Sequence, residues 1–416
     1  MVGCGRGANL DLGMRPADGP ERRFALLMVF TAFYEQLAWA PILVLFATAA
    51  GSAAALAYAA SAYSAANLVG NALFGLLVDR KGRIPTAAVG FLALAASALL
   101  HLAVRTPASL VGVRLLHGLA AAAVAPAVFA SLAHGVPRER RGEAMARAGL
   151  LIAVASMFAP PVTGAIEGAI GLQGAVVTLA AGVALVGALA VRHAARQKAA
   201  GAAPGPAARA SVAESSPAPA EAAAARLVDA RVLALACSLG FAVMFCQNIL
   251  FYAFPLKANA LGLAPSMTGA LLSAFALGAV IAFASPLSRL ADRRGRKLPA
   301  LLGLAVASGG FLSLGASERL AALALSLAAY GLGFGLLFPT VSALAADSAG
   351  EGRRGAAFGL LTAAFSAGSI TGPLVAQGLN AVLAPFTVGG LLLALALTLS
   401  AAGLRGRKSE AQSARA

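Results

Sequence analysis

Charge is scarce in this sequence. Only 12% of its 416 residues are Asp, Glu, Lys or Arg, while 60% are hydrophobic. A soluble domain carries roughly a quarter charged residues, so water cannot be the main solvent of this fold. Cysteine is scarcer still: Cys4, Cys237 and Cys246 make no CxxC pair and no even-numbered framework, which excludes a disulfide scaffold and a Cys-rich zinc site. The four histidines, His101, His117, His134 and His193, are scattered, and no GxxxxGK[ST] phosphate loop is present. A membrane enzyme and an ATP-driven pump therefore both lack their chemistry, and neither a cofactor nor a metal is expected. Acidic residues number 16 against 32 basic ones, a net charge of +16. Such a balance suits nucleic acid when the basic residues form one patch on a polar fold. Here they fall in short bursts between long apolar runs, so the expected partner is a lipid bilayer and not nucleic acid.

A helix needs about 20 residues to cross the hydrocarbon core. Runs of that length lie at Phe24–Phe46, Ala54–Val78, Pro85–Val104, Ser109–Ala133, Ala144–Ile166 and Leu172–Val191. After a break, six more lie at Val232–Phe254, Met267–Leu287, Leu298–Ala316, Leu320–Ala346, Ala356–Leu379 and Pro385–Leu404. The first run exceeds a signal-peptide core and is followed by more apolar sequence, so it reads as a retained span. The break is rich in Ala, Pro, Ser and Gly with interspersed arginines and reads as a flexible linker. The expected organisation is an N-terminal tail (1–23), a six-helix bundle (24–191), a linker (192–229), a second six-helix bundle (230–404) and a C-terminal tail (405–416). The fold class is all-α and polytopic. With twelve spans, only Arg105, Lys257 and Arg319 lie on the odd-numbered loops and Arg114 lies deep inside a span, leaving 28 of the 32 basic residues on the opposite face or, as with Arg147, in the first turn of a span that starts there. Because Lys and Arg are retained in the cytoplasm, both termini and the linker are expected there.

The halves repeat. A shift of 213 carries Asp79, Arg80, Gly82 and Arg83 onto Asp292, Arg293, Gly295 and Arg296, Gly118 onto Gly331, Pro126 onto Pro339, and Pro160 onto Pro373, with no gap. Alanine-rich sequence matches itself easily, but shared Asp, Arg and Pro positions are not a product of composition. Two parallel six-helix units are the simplest reading, a plan whose binding site lies between the halves at mid-membrane.

The segment Gly75-Leu76-Leu77-Val78-Asp79-Arg80-Lys81-Gly82-Arg83 resembles the G-x-x-x-D-R-x-G-R signature of the major facilitator superfamily, between spans two and three as in that family. Its echo at Ser288–Lys297 has Ser288 in place of the first Gly. Arg114 with His117-Gly118 resembles the family's R-x-x-Q-G pattern, with His117 for Gln. Ala155–Gly164 holds Ala159-Pro160 and Gly164, a degenerate form of the G-x-x-x-G-P-x-x-G-G antiporter motif in which Ala155, Ala159 and Thr163 replace glycines. The resemblance, most similar to drug:proton antiporters, implies a secondary transporter; richness in Ala, Gly and Arg points to a bacterial plasma membrane, and a monomer is expected. It would exchange protons for an amphipathic small molecule through a cavity between the halves. It also implies that Asp79 approaches the start of span eleven near Gly355 and Asp292 the start of span five near Gly142. Each carboxylate would then latch the cytoplasmic side against a helix N-terminus; topogenic charge alone is the plainer alternative.

Glu35 and Arg114 are the clearest charges deep within spans, where each costs at least about 2.5–3.5 kcal/mol and marks a functional site by default. They are expected to pair if spans one and four are neighbours, either as a static strut or as a proton site with His117 one turn from Arg114. Under the 213 shift Glu35, Arg114 and His117 become Asn248, Leu327 and Tyr330, so proton coupling is expected in the first half. Phe33, Tyr34, Trp39, Asn67, Asn71, Phe241, Met244, Phe245, Gln247, Asn248 and Phe338 are candidates for the cavity wall, with helix packing the alternative for each. An importer, an exporter of one metabolite such as a siderophore, sugar or organic anion, or a non-transporting receptor fits the same fold.

Overall fold

A computed structural model describes residues 19–133, 141–199, 229–285, 296–349 and 354–413. The described chain is helical. In order, the helices are α1 (Pro20–Ala38), α2 (Leu43–Ala49), α3 (Ala54–Lys81), α4 (Arg83–Leu100), α5 (Pro107–Ala133), α6 (Arg141–Ala199), α7 (Ala230–Ala260), α8 (Pro265–Ala284), α9 (Lys297–Ala316), α10 (Leu320–Ser348), α11 (Arg354–Gly378) and α12 (Pro385–Ser413). Among the described residues nine helical stretches are long and apolar enough to cross a membrane, one of them Arg147–Ala199. That stretch divides at Gly171, whose φ of 77° and ψ of 170° break the helical path, so α6 supplies spans five and six. With α3 and α12 the set reaches the twelve spans expected.

The first span is not the continuous helix its hydropathy suggests. It stops at Ala38 and resumes at Leu43, because Pro41 has no N–H to donate and its ring collides with the carbonyl four residues back. The break leaves Trp39 at a corner, buried at 2% exposure. Two helices run past the ends of their apolar runs. Helix α6 runs to Ala199 and α12 to Ser413, through Ala, Arg, Lys, Gln and Glu, which are good helix formers. Lys257, assigned to a loop from the sequence, sits in the last turns of α7. Its Nζ donates to the carbonyls of Leu314 and Gly315 at 2.7 and 2.8 Å, where the C-terminal end of α9 offers unsatisfied acceptors.

Each half packs by the same scheme. In the first, α5 lies against α3 and α4, and α6 against α1 and α4; in the second, α10 lies against α8 and α9, α11 against α7, and α12 against α9 and α7. The repeat reaches the level of single contacts: Gly90 faces Val124, and 213 residues on Gly303 faces Leu337. The halves meet along two seams, α3 with α11 and α6 with α8. The first seam includes a hydrogen bond from Ser61 Oγ to the carbonyl of Ile370 at 2.7 Å. The second includes Ser273 Oγ to the carbonyl of Met157 at 2.6 Å and a crossing of two backbones. A methyl group at Gly164 would strike the carbonyl of Pro265, and one at Gly269 the carbonyl of Pro160.

Candidate functional site

Between the halves lies a cavity of about 440 Å³, within the range of small-molecule sites. Its wall draws on α1, α3, α5 and α6 from one half and on α7, α10 and α11 from the other. Six of the expected residues line it, namely Phe33, Trp39, Asn67, Met244, Gln247 and Asn248. Helical geometry explains the selection: Met244, Gln247, Asn248 and Phe251 follow the i, i+3, i+4, i+7 stripe of one face. Tyr34 is one residue from Phe33, about 100° round the helix, and instead lines a separate apolar pocket between α1 and α6. Phe241 faces another pocket beside α12, Phe245 is buried at 5% exposure against the backbone of α11, and Phe338 stacks on Phe334 and Phe365 behind the wall. Asn71 donates to Asn67 Oδ1 at 2.8 Å and so acts through its neighbour. Gln36, Tyr63, Ser64, Ser156, Phe251, Phe334, Phe365, Ser366 and Ser369 complete much of the surface. Sequence reasoning misses them because isolated Ser and Phe residues carry no signal in an apolar helix.

Among the described residues Arg114 is the sole charged side chain in that wall. Its guanidinium carbon stands 4.3 Å from the Tyr63 ring centroid and 6.0 Å from that of Trp39, cation–π contacts that compensate part of its desolvation. The expected direct pairing of Arg114 with Glu35 is replaced by a chain through His117. His117 Nε2 lies 2.8 Å from Glu35 Oε1, and Arg114 Nη1 lies 3.4 Å from His117 Nδ1. Arginine only donates and a carboxylate only accepts, so one neutral tautomer satisfies both contacts: Nε2 carries the hydrogen toward Glu35, and Nδ1 accepts from Arg114. Trp39 Nε1 donates a second bond to the same Glu35 oxygen at 2.6 Å. Glu35 and His117 are 1% and 0% exposed and do not touch the cavity; Trp39 and Arg114 stand between them and it.

His101, one of the scattered histidines in the sequence, belongs to this cluster. Its ring lies against Trp39, tilted by 32° with centroids 4.1 Å apart, and meets His117 edge-on at 5.3 Å. The equivalent place in the second half is uncharged. Asn248 Nδ2 donates to the Met244 carbonyl at 2.9 Å and to Ser369 Oγ at 3.0 Å, and Tyr330 is buried beside Phe275 and Phe311. Among the described residues no group of His, Cys, Asp or Glu is placed to hold a metal ion.

The signature loop is described in part. Gly82 ends α3 with φ 88° and ψ 159° and lets α4 begin at once, a turn that favours glycine. Arg80 is exposed and Arg83 partly buried, and nothing stands where a Cβ on Gly75 would project. Asp79 occupies the last turn of α3, but its side chain, like Asp292, Arg293 and Gly295, lies outside the described residues. Arg296 Nε reaches Asp347 Oδ2 on α10 at 3.1 Å, a contact within its own half. In the antiporter-like segment Ala155 and Ala159 are fully buried, and Pro160 and Gly164 form the α6–α8 crossing.

A 30% identical match over 167 residues links this chain to the quinolone resistance protein NorA of Staphylococcus aureus strain Mu50, covering 38% of this chain and 42% of that protein. Another match, 34% identical over 134 residues, is to the class G tetracycline resistance protein of Vibrio anguillarum, covering 32% of this chain and 34% of that one. The chain thus spans less than half the length of these curated relatives in alignment. A family model covers far more, matching once over residues 24–245 and again over 236–416, one match for each repeat. Twelve helices in two like halves, a cavity between them and this double match place the chain in the Major Facilitator Superfamily.

Proposed function

We propose that the protein is a secondary transporter that exports an amphipathic small molecule in exchange for protons. It would work by alternating access as a monomer in the bacterial inner membrane, with both termini cytoplasmic. The observation that carries this reading is the buried Glu35–His117 pair, held from the cavity side by two residues, Trp39 and Arg114, that themselves line the cavity. A molecule that displaces the indole or the guanidinium alters the hydrogen bonding of the carboxylate behind it. Two sites that share contacts in this way are coupled, and the coupling is reciprocal.

The wall also suits an amphipathic ligand, since Phe33, Phe251, Phe334 and Phe365 face Asn67, Gln247 and Asn248. Similarity to two drug-resistance proteins supports export and a transporter over an enzyme. Alternation is supported by the uneven seams. The contacts at Ser61, Met157, Gly164 and Gly269 lie in the part of the bundle away from the Asp79 turn, while Gly75, Gly149 and Gly359, nearer that turn, face open space. The backbone crossing at Gly164 and Gly269 supports reading this as a state closed on the side away from the Asp79 turn. A latch at Asp79 and Asp292 would act in the opposite state.

The test is uptake of tetracycline and norfloxacin by proteoliposomes under an imposed pH gradient. Accumulation that collapses with the gradient supports exchange, and accumulation indifferent to it excludes proton coupling. The amide-rich stretch Asn67, Gln247 and Asn248 favours a second reading, transport of one hydrogen-bonding metabolite. In that case a single compound competes and the drugs do not.

A further inference from the structure

His101 takes no part in the Glu35–His117 bond and does not line the cavity, yet it is fully buried at the head of the single-turn 3-10 helix His101–Ala103. Its Nδ1 lies 3.0 Å from the carbonyl of Ser97. A carbonyl only accepts, so Nδ1 carries the hydrogen and Nε2 is left with its lone pair. That Nε2 is buried without a partner. Leaving such an atom unsatisfied costs about 1–3 kcal/mol, and a native structure that keeps one usually does so for a reason. Against the ring stand Trp39, which follows α1, Phe46 of α2 and His117 of α5, and His117 in turn touches Glu35 of α1, Tyr63 of α3 and Arg114 of α5. Two residues along the chain Ala103 is exposed, and Arg105 folds its guanidinium onto the carbonyls of Leu102 and Val104. The ring therefore lies one turn beneath the surface opposite the Asp79 turn.

We propose that His101 is the port through which protons pass between that surface and the Glu35–His117 pair, by a route separated from the substrate cavity by the Trp39 indole. This rests on the reading that Glu35 carries the coupled proton. Water at the surface gives a proton to the Nε2 lone pair, and the ring becomes an imidazolium whose Nδ1–H stays on Ser97. The Nε2 proton then passes by way of intervening water to the Glu35–His117 pair, where the Glu35 carboxylate takes it. The ring returns to its neutral form, and only N–H and O–H bonds form or break. Such a route stays available while the α6–α8 crossing shuts the cavity on the same side.

The chain's single tryptophan is Trp39, lying against the ring in question, and an imidazolium quenches indole emission more strongly than a neutral imidazole. The experiment uses the full-length protein in oriented, sealed proteoliposomes carrying a pH dye in the lumen. Acidifying the outside is expected to quench Trp39 emission in the wild-type protein. His101→Phe, which keeps the ring contact, is expected to abolish that quench. It should also slow proton entry during tetracycline or norfloxacin exchange by about 100-fold, the low end of what a positioned proton-transfer group supplies. Wild-type quenching or wild-type proton entry in His101→Phe overturns the proposal, and so does absence of quenching in the unmodified protein, which needs no variant to fold. Glu35→Gln separates the two readings. Loss of proton entry with the quench intact supports both, whereas wild-type proton entry in Glu35→Gln defeats the coupling reading and leaves His101 to be judged on its quench.

Discussion

His117 Nε2 sits 2.8 Å from Glu35 Oε1, two residues 82 apart in sequence, each within 1% of complete burial. The Glu35 oxygen accepts from two donors, His117 and Trp39. Removing either donor tests how much of the site is electrostatics and how much is packing.

His117→Phe leaves Glu35 with Trp39 alone. Removing a hydrogen bond to a charged group in this way costs about 1.5–3 kcal/mol, seen as a lowered unfolding temperature in detergent. Adding Glu35→Gln to His117→Phe should return most of that loss, because a neutral amide needs less compensation. A double-mutant cycle measures the difference, and purely additive losses would show that the two side chains do not form a unit.

Trp39→Phe retains an aromatic wall but removes the indole donor, a hydrogen bond to a charged group worth about 1.5–3 kcal/mol. Binding of tetracycline should change little while the number of protons exchanged per molecule falls. Flux measured by a pH dye alongside substrate uptake checks this, and an unchanged ratio contradicts a role for Trp39 in coupling.

Much of this arrangement is legible in the order of the residues alone. Twelve apolar runs and a 213-residue shift shared by Asp, Arg, Gly and Pro define two like halves, and the expense of charge in lipid singles out Glu35 and Arg114. What the sequence conceals is which group touches which. Pairing Glu35 with Arg114 is the natural reading of opposite charges, but His117, on the same face of α5 one turn on, fills the space between them. His101 stays hidden because neutral buried histidines look alike until a neighbouring helix is placed beside them. Wall residues such as Ser366 and Phe365 differ from ordinary packing residues only in facing the cavity, a property that no local pattern encodes.

Gly164→Val and Gly269→Val each push a branched side chain into a backbone carbonyl across the α6–α8 crossing. Overpacking costs about 1–3 kcal/mol, and it falls on the state in which that crossing is closed. Cysteines placed on the side opposite the Asp79 turn should therefore become more accessible to a membrane-impermeant thiol reagent. Gly149→Val, where a side chain meets open space, should leave accessibility unchanged. Equal responses in all three variants would contradict the assignment of the seam.

Asp79→Asn should slow alternation and leave tetracycline affinity within a few-fold, because a latch biases one conformation and does not touch the cavity. Binding by equilibrium fluorescence and turnover by uptake separate the two effects. Loss of affinity with unchanged turnover would contradict a gate at this position.

Proton coupling at Glu35 is tested most directly by gradient-driven and gradient-free exchange measured in the same proteoliposomes. Glu35→Gln preserves shape and hydrogen bonding but cannot release a proton at physiological pH. It should exchange labelled tetracycline across the membrane at a rate near that of the wild-type protein when no gradient is present, and fail to accumulate it when a pH gradient is imposed. Accumulation by Glu35→Gln to the wild-type level, with the wild-type dependence on pH, would contradict the assignment of the coupled proton to this carboxylate.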